Sequence, residues 1–292
     1  MTTVLVSGAT GNVGAHVVRE LRARGAHVRA LVRDPRKAAA TLGDVDLVAG
    51  DFEDAASLRR AVAGADRVYL CAADGPRKVS HETALIDAAA DAGVERIVKL
   101  SAMHADPGSR LPAFRWHGEI EAHLLASGVP AVVLRPAFFM TNLLMVAGGV
   151  AATGTLFAPT AGRPVAMIDI RDVAAVAAVT LTTDGHDKQV YELTGPEAVT
   201  FADVARAIGA ATGRPVAYID LSEEEARPRF AGAGHPDWLA EHLAGVFGVI
   251  RDNGFAATTG HVPTISGHPA RGVTDFARDF AAAFTPTAEG TA

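Results

Sequence analysis

The sequence has few of the features that mark secreted, membrane-spanning or disulfide-rich proteins. Its single cysteine, Cys71, cannot form an internal disulfide, and its place at the end of a predicted strand favours a small buried side chain over a reactive thiol. No apolar stretch reaches the roughly 20 residues that span a bilayer, and the chain begins on a strand, without a signal-like charged and apolar segment. We therefore expect a cytoplasmic protein with no membrane partner.

Positive charge is also scarce and scattered. The 27 Lys and Arg residues are outnumbered by 33 Asp and Glu residues, so the formal net charge is -6 at pH 7. Nucleic acid is disfavoured as a partner, because phosphate binding depends on clustered positive charge. With 292 residues, 49% of them hydrophobic, the chain can bury one large core or a core with an appended lobe. The sequence leaves the oligomeric state open.

Strand-like apolar segments alternate with amphipathic helical segments along the first half of the chain. The predicted strands cover residues 4–6, 27–32, 46–49, 68–71, 97–100 and 131–134. This alternation predicts an α/β fold, specifically a Rossmann-type doubly wound parallel sheet with right-handed crossovers. We predict an NAD(P)-binding domain over residues 1–150, with its sheet extended by a strand within 188–195. A mixed segment and a smaller, mostly helical, substrate-binding lobe would follow over residues 151–292.

The segment from Gly8 to Gly14 has the glycine spacing of a dinucleotide-binding turn, and it lies between an apolar strand and an amphipathic helix. Gly8 would allow a tight exit from the strand, Gly11 the approach of backbone to a diphosphate, and Gly14 close packing of helix and strand. The helix N-terminus adds N–H groups that bind phosphate. The predicted cofactor contacts in this segment are Gly8, Thr10, Gly11, Asn12, Val13 and Gly14.

Arg33, at the end of the second predicted strand, indicates which nucleotide is bound. An arginine here pairs with an adenosine 2′-phosphate, whereas an acidic residue accepts a hydrogen bond from a 2′-hydroxyl. NADPH is therefore the expected cofactor, although the neighbouring Asp34 could serve NADH and Arg33 could be merely solvated. Asp51 and Phe52 follow the third strand and are predicted to flank the adenine, although Asp51 could be a loop residue or a helix cap.

Small and apolar residues follow the later predicted strands, at the sheet edge where doubly wound folds bind their ligands. They leave room for a planar ribose and nicotinamide. Ser101 could hydrogen-bond a ribose or a substrate, or it could be an ordinary turn residue. The predicted contacts here are Ala72, Ala73, Ser101, Pro136 and Phe138.

The tyrosine–lysine pair that most short-chain dehydrogenases use is missing. None of the three tyrosines, Tyr69, Tyr191 and Tyr218, is followed by a lysine four positions later. Reduction of a ketone makes an alkoxide that is about as basic as hydroxide, whereas reduction of a quinone makes a much less basic phenolate, whose parent pKa is about 10. The difference corresponds to about 8 kcal/mol less charge stabilisation. A site without the pair is therefore better suited to a quinone-like acceptor.

His117 is the best available proton donor, in a helix predicted over residues 114–127. We expect it to begin this helix, whose start should overhang the nicotinamide, so that a neutral imidazole could hydrogen-bond or protonate a substrate oxygen. It could instead cap the helix or bond to a backbone carbonyl. His117 and His123 point to different sides of a helix, and no other spacing of His, Cys and carboxylates indicates a metal site.

Eight longer motifs resemble the NmrA-like branch of the atypical short-chain dehydrogenases, which includes NAD(P)H-dependent quinone and azo reductases. They are GATGNVG (8–14), LVRDP (31–35), GDFED (50–54), WHGEIEAHLLASG (116–128), LRPAFFMTNLL (134–144), IDIRDVAAVA (168–177), YELTGPEAVTFADVA (191–205) and HPARGVTDFARDF (268–280). The resemblance covers nearly all of the chain. WHGEIE and LRPAFFMTN are its most specific parts, since many NAD(P) proteins share the first motif.

This resemblance implies a Rossmann domain with a small C-terminal lobe, NADPH preference through Arg33, and a substrate cleft bordered by His117, Phe139, Asn142 and the lobe. Trp238 is a further candidate substrate contact from the lobe. The related isoflavone-reductase-like branch has a lysine about where His117 stands here. The proton-transfer scheme of that branch is therefore not expected.

Three functions are compatible with these features. The first is an NADPH-dependent reductase of a planar conjugated acceptor, such as a quinone or an aromatic natural-product intermediate. The second is a regulatory protein that senses NAD(P) without chemistry. The third is another reaction in the same cleft, such as enone or imine reduction or a cyclisation. Loss of NADPH absorbance on mixing with quinones would separate the first from the second.

Overall fold

The computed structural model describes residues 1–232 and 236–286. The strands in these residues are β1 (Thr3–Val6), β2 (His27–Val32), β3 (Asp46–Ala49), β4 (Arg67–Leu70), β5 (Arg96–Leu100), β6 (Ala131–Pro136), β7 (Thr155–Ala158), β8 (Gln189–Leu193) and β9 (Ala217–Asp220). The helices are α1 (Gly14–Ala23), α2 (Pro35–Leu42), α3 (Ala55–Val62), α4 (Lys78–Asp91), α5 (Pro112–Ala126), α6 (Ala147–Thr153), α7 (Ile170–Thr182), α8 (Phe201–Thr212), α9 (Glu223–Gly232), α10 (Asp237–Arg251), α11 (His261–Ser266) and α12 (Val273–Asp279). Two 3-10 helices cover Met140–Val146 and Ala281–Phe284.

Seven strands form one parallel sheet in the order β3-β2-β1-β4-β5-β6-β8. The winding direction reverses between β1 and β4, which is the point where doubly wound folds bind ligands at the carboxyl ends of their strands. The predicted Rossmann-type α/β fold is therefore confirmed. The strand expected beyond residue 188 is also found, as β8 at the edge of the sheet.

Helices cover the sheet because its central strands are apolar on both faces. In β1 the side chains of Val4, Leu5 and Val6 are fully buried. Helix α1 packs against α7, which in turn packs against α11, while α3, α4 and α5 pack together in sequence. Right-handed crossovers place α3, α4 and α5 on the opposite face from α1. The parallel sheet thus has both faces covered, as its near-continuous apolar strands require.

The chain divides into two compact units that interleave along the sequence. Unit 1 comprises residues 1–136, 170–193 and 261–268, and unit 2 comprises residues 137–169, 194–260 and 269–292. Unit 1 contains the whole seven-stranded sheet. Unit 2 contains the parallel pair of β7 and β9 and an aromatic cluster around Phe201 and Phe247. The division predicted between residues 150 and 151 stays a prediction.

Several local expectations change in the structure. Helix α5 begins at Pro112, so His117 lies in its second turn and does not begin the helix. A proline is favoured at the first helical position because its missing N–H and fixed φ cost nothing there. The glycine-containing passage over 148–162 holds α6 and β7, neither of which the pattern indicates. None of the helices in the described part of the chain combines the length and apolar character needed to cross a bilayer.

Candidate cofactor site and active site

The turn between β1 and α1 has a backbone that only glycine accommodates at two points. Gly8 has a φ of 63°, and a Cβ there would lie 2.8 Å from the Cys71 carbonyl oxygen. A Cβ on Gly14 would lie 2.1 Å from the Gly8 carbonyl oxygen, so the first turn of α1 packs directly on the glycine turn. This close packing holds the turn at the carboxyl end of β1. The turn therefore fits the backbone cradle that a dinucleotide diphosphate needs.

The remaining members of the glycine motif divide between surface and core. Thr10, Gly11 and Asn12 are exposed at the mouth of α1, whereas the Val13 side chain is buried. The Gly11 N–H donates to the Gly8 carbonyl at 2.9 Å, which closes the turn. The exposed residues are thus available to a ligand, and Val13 anchors the segment to the core.

Arg33 follows β2 as an exposed cation. Among the described residues its guanidinium has no ion-pair or hydrogen-bond partner. The neighbouring Asp34 is the N-cap of α2, where its Oδ1 accepts from the backbone N–H groups of Arg36 and Lys37 at 3.0 and 3.2 Å. The acidic side chain is thus engaged by the helix, and the contact of Arg33 with an adenosine ribose stays a prediction.

Asp51 and Phe52 have internal partners as well as a place near the ends of the strands. The Asp51 N–H donates to Ser57 Oγ at 2.9 Å, and Asp51 Oδ1 accepts from the Glu53 N–H at 3.0 Å. The Phe52 ring stacks on His81, with centroids 5.3 Å apart and planes within 9°. These contacts fix the loop after β3. The predicted adenine contacts of both residues stay predictions.

The segment after β4 is held by charged side chains that reach it from α4. The Ala72 N–H donates to Glu82 Oε1 at 3.0 Å, and the Ala72 carbonyl accepts from Lys78 Nζ at 2.9 Å. Ala72 is buried and Ala73 is exposed. Two charged groups therefore fix the backbone at the strand end where the nicotinamide half of a cofactor is expected.

Lys78 and Glu82 belong to a buried charge cluster that sequence patterns alone do not reveal. Glu82 Oε1 lies 2.8 Å from Lys78 Nζ, and Glu82 Oε2 lies 2.6 Å from Lys99 Nζ on β5. Glu82 and Lys99 are completely buried, and Lys78 is 2% exposed. Lys78 also contacts Asp74 Oδ1 at 3.1 Å. The buried Glu82 carboxylate is thus shared by two ammonium groups, and the partly exposed Asp74 supplies the second negative charge.

The pKa values of the cluster follow from this arrangement. Burial opposes the charge on Glu82, but Lys78 and Lys99 outweigh it and lower the pKa of the carboxyl. Burial also opposes the charge on Lys78, but Glu82 and Asp74 outweigh it and raise the pKa of that amine. For Lys99, burial is dominant and lowers its pKa, while Glu82 acts in the opposite direction. Beside the cluster, burial raises the pKa of the Cys71 thiol to about 11, so this cysteine is not an activated thiolate.

His117 contacts the cluster from α5. Its ring is buried, with Nδ1 3.2 Å from Lys99 Nζ and Nε2 3.8 Å from Asp74 Oδ1. The alternative expectation of a simple helix cap does not describe this geometry, because His117 lies inside the helix and its ring meets a buried ammonium group. A proton donor at this position would act beside the ends of β4 and β5.

Ser101 and Pro136 end neighbouring strands without facing the surface. Ser101 is buried, and its hydroxyl donates to Glu121, which forms two hydrogen bonds with Arg135 at 3.1 and 2.5 Å. The Pro136 carbonyl accepts from the Met103 N–H at 2.9 Å. Contacts of Ser101 and Pro136 with a cofactor stay predictions.

Four of the predicted ligand contacts belong to unit 2, and three of them are partly buried. Phe139 precedes the 3-10 helix, Asn142 lies within it, and Trp238 is the second residue of α10. Phe138 is 8% exposed and packs edge-on against Phe201, so it is a core residue of unit 2. Roles in cofactor or substrate binding stay predictions for all four.

Comparison with known proteins gives consistent results. Residues 1–260 match the NmrA-like family. The chain is 38% identical to the NAD(P)H azoreductase of Xenophilus azovorans, over 96% of this chain and 99% of that protein. It is 36% identical to the (4-alkanoyl-5-oxo-2,5-dihydrofuran-3-yl)methyl phosphate reductase of Streptomyces griseus subsp. griseus, over 97% of this chain and 99% of that protein. The NADPH complex of the NADPH-dependent quinone oxidoreductase from Escherichia coli aligns with a TM-score of 0.86 and 28% identity, over 95% of this chain and 99% of that one.

Proposed function

We propose, because this chain belongs to the NmrA-like family, that it transfers hydride from NADPH to a planar, conjugated small-molecule acceptor such as a quinone. The observation that carries the proposal is the full-length match, at 38% identity, to an NAD(P)H azoreductase. The class of NAD(P)H-dependent oxidoreductase follows from this relative and from two other similar proteins, the dihydrofuran phosphate reductase and a quinone oxidoreductase of Escherichia coli. What the proposal adds to this class is the chemical type of the acceptor.

The residues of unit 1 support the choice of NADPH. The Gly8–Gly14 turn would hold the diphosphate on backbone N–H groups, with Thr10, Gly11 and Asn12 exposed to it. Arg33 would pair with the adenosine 2′-phosphate, because the adjacent carboxylate already caps α2. When bound, the cofactor supplies the hydride. These residues bind and orient it.

The proton that accompanies the hydride would come from His117. Hydride addition to a quinone leaves a phenolate-like oxygen, which needs much less stabilisation than the alkoxide formed from a ketone. A hydrogen bond from a neutral imidazole is a suitable donor for such an oxygen. This chemistry does not require a Tyr-x-x-x-Lys pair, which the sequence lacks. Phe139, Asn142 and Trp238 are the proposed substrate contacts, to be tested one by one.

Reduction of a conjugated C=C bond is a second candidate. It is favoured by the 36% identity to a reductase whose substrate is a 5-oxo-2,5-dihydrofuran, a ring with a C=C bond conjugated to a carbonyl group. The hydride would then add to carbon, and His117 would protonate the resulting enolate oxygen or the adjacent carbon. Both candidates need the same cofactor and the same proton donor, and they differ in the acceptor and in the atoms that receive the hydride and the proton.

Steady-state loss of NADPH absorbance tests the proposal, with a simple quinone, an azo dye and an unsaturated lactone as acceptors. We expect turnover with at least one of them, and His117→Gln should lower kcat while calorimetry shows unchanged NADPH affinity. Binding of NADPH without oxidation by any acceptor would refute the reductase and favour the NAD(P)-sensing protein. Turnover of the lactone alone would favour the second candidate.

A further inference from the structure

We propose that the buried Lys99 side chain is a positioning residue, which holds His117 in the tautomer that carries its proton on Nε2. The inference rests on the proposed function, in which His117 supplies a proton to the reduced acceptor. It concerns a side chain that no sequence motif assigns to the site. Lys99 lies on β5 and His117 on α5, so the pair is made by packing and not by spacing along one helix.

The contacts of Lys99 determine which ring nitrogen is protonated. Its Nζ lies 2.6 Å from Glu82 Oε2, 3.1 Å from the Leu100 carbonyl oxygen and 3.2 Å from His117 Nδ1. An ammonium group has three N–H donors and no acceptor. The two oxygens can only accept, and the third N–H is directed at Nδ1. A neutral imidazole that accepts at Nδ1 carries its own proton at Nε2.

Glu82 favours the charged form of Lys99, although burial lowers the pKa of this amine overall. Its carboxylate is completely buried, and its two oxygens are divided between Lys78 and Lys99. An ionised carboxylate at 2.6 Å favours the ammonium form of Lys99 against the effect of burial. If Lys99 were a neutral amine, its lone pair would accept from Nδ1–H, and the ring proton would be on the opposite nitrogen. The two states of the pair are therefore distinguishable.

The two sides of the His117 ring have different surroundings. Nδ1 faces Lys99, which is fully buried, whereas Nε2 lies 3.8 Å from Asp74, whose side chain is 51% exposed. The Nε2 proton is therefore on the side of the ring toward the partly exposed segment after β4. Protonation of the ring at Nδ1 would direct the donor into the core, where it could not serve a ligand.

Lys78 provides a matched control. It is a buried lysine bound to the same carboxylate, but its described hydrogen-bond and ion-pair partners are Asp74, Glu82 and the Ala72 carbonyl, whereas Lys99 is the lysine within hydrogen-bond distance of His117. In Lys99→Met, Glu82 keeps Lys78 as a counter-ion. In Lys78→Met, Glu82 keeps Lys99. Both variants thus remove one ammonium group and leave one carboxylate paired, and they differ in whether the group facing His117 is lost.

The test is NMR of protein labelled with nitrogen isotope in its histidine rings, at about pH 8, where an unperturbed histidine is neutral. The His117 signals are identified by their absence from His117→Gln. We expect a protonated Nε2 and an unprotonated Nδ1 in the unsubstituted protein and in Lys78→Met, and a mixture of tautomers in Lys99→Met. A protonated Nδ1 in the unsubstituted protein overturns the inference, whether or not either lysine variant folds.

Kinetics give the second readout. Lys99→Met should lower kcat about 10-fold or more, with the KM for NADPH within about twofold, because a misplaced proton slows transfer without affecting cofactor binding. Lys78→Met should have a clearly smaller effect. Equal losses in the two variants would assign Lys99 a merely structural role and overturn the inference. Failure of the unsubstituted protein to oxidise NADPH would instead refute the proposed function, and the tautomer measurement would still decide the placement of the proton.

Discussion

Replacement of Glu82 by Gln tests how much the buried charge cluster contributes to folding. Among the residues that the structure describes, this carboxylate is the one negative group that Lys99 contacts, at 2.6 Å, whereas Lys78 also has Asp74 at 3.1 Å. A glutamine has one acceptor oxygen where the carboxylate has two. In one orientation of the amide, its NH₂ group would face the ammonium group of Lys99. In the other orientation, it would face the Ala72 N–H and the ammonium group of Lys78. The substitution therefore leaves Lys99 without the carboxylate that it contacts, while Lys78 keeps Asp74.

The expected cost is large for a change of one atom. Removal of one partner from a buried ion pair costs about 3–5 kcal/mol, against about 5–15 kcal/mol for the whole stability of a typical domain. Lys99 can reduce the cost by losing its proton. In the folded variant its pKa then falls below the unfolded value of about 10.4, so the unfolded state binds more protons at neutral pH and stability rises with pH.

The measurement is the free energy of unfolding from urea titrations of both proteins at about pH 7 and about pH 9. We expect Glu82→Gln to lose about 3–5 kcal/mol at the lower pH and less at the higher pH. Glu223→Gln is the matched control, because Glu223 also bridges two cations, Arg227 and Arg251, but its side chain is 58% exposed. That control should lose no more than about 1 kcal/mol. Equal losses at the two sites would refute the cluster's assigned role in stability.

Three further predictions concern the cofactor, the proton donor and a peripheral ion pair. Arg33→Asp should weaken NADPH far more than NADH in calorimetric titrations, because a contact with the 2′-phosphate becomes a repulsion; equal losses would exclude the assigned role. His117→Gln should lower kcat about 100-fold without changing NADPH affinity, and unchanged turnover would exclude His117 as the acid. Arg96 lowers the pKa of Asp187, so this carboxylate contributes stability that is present above its unfolded pKa and lost as pH falls through the folded value. The stability difference between the protein and Asp187→Asn should therefore shrink in acid, and a difference independent of pH would contradict this.

The fold is largely predictable from the sequence because its signals are local. The central strands of the large sheet contain short apolar runs, and the glycine turn after β1 places the first crossover. Thr200 and Asp203 form the capping box that starts α8, and a threonine followed three residues later by an acidic residue is a local signal of a helix start. The sequence pattern does not indicate α6 or β7, because the glycines of α6 and the short length of both elements are also typical of a loop.

The candidate site is less predictable, because its chemistry depends on burial that only tertiary packing creates. Lys78 and Glu82 are four residues apart on α4, which in sequence is typical of a solvated ion pair. Their nearly complete burial is not visible from that spacing. The one available signal is Lys99, a charged residue inside the otherwise apolar run of a central strand. A lysine in such a position needs a buried acidic partner, which could have prompted a search along α4.

The placement of Lys99 also bears on how this chain could work without a Tyr-x-x-x-Lys pair. In that pair, the lysine acts on the acid from one turn further along the same helix, so the two residues are visible as a motif. Here the lysine reaches the ring of His117 from β5, 18 positions earlier in the chain. A lysine beside a phenol lowers the phenol's pKa, whereas Lys99 bonded to Nδ1 selects which nitrogen of a neutral ring is the donor. A lowered pKa of the acid suits the strongly basic alkoxide formed from a ketone, whereas a correctly placed proton on a neutral ring is sufficient for the less basic phenolate. The choice of a conjugated acceptor and the role of Lys99 therefore support each other.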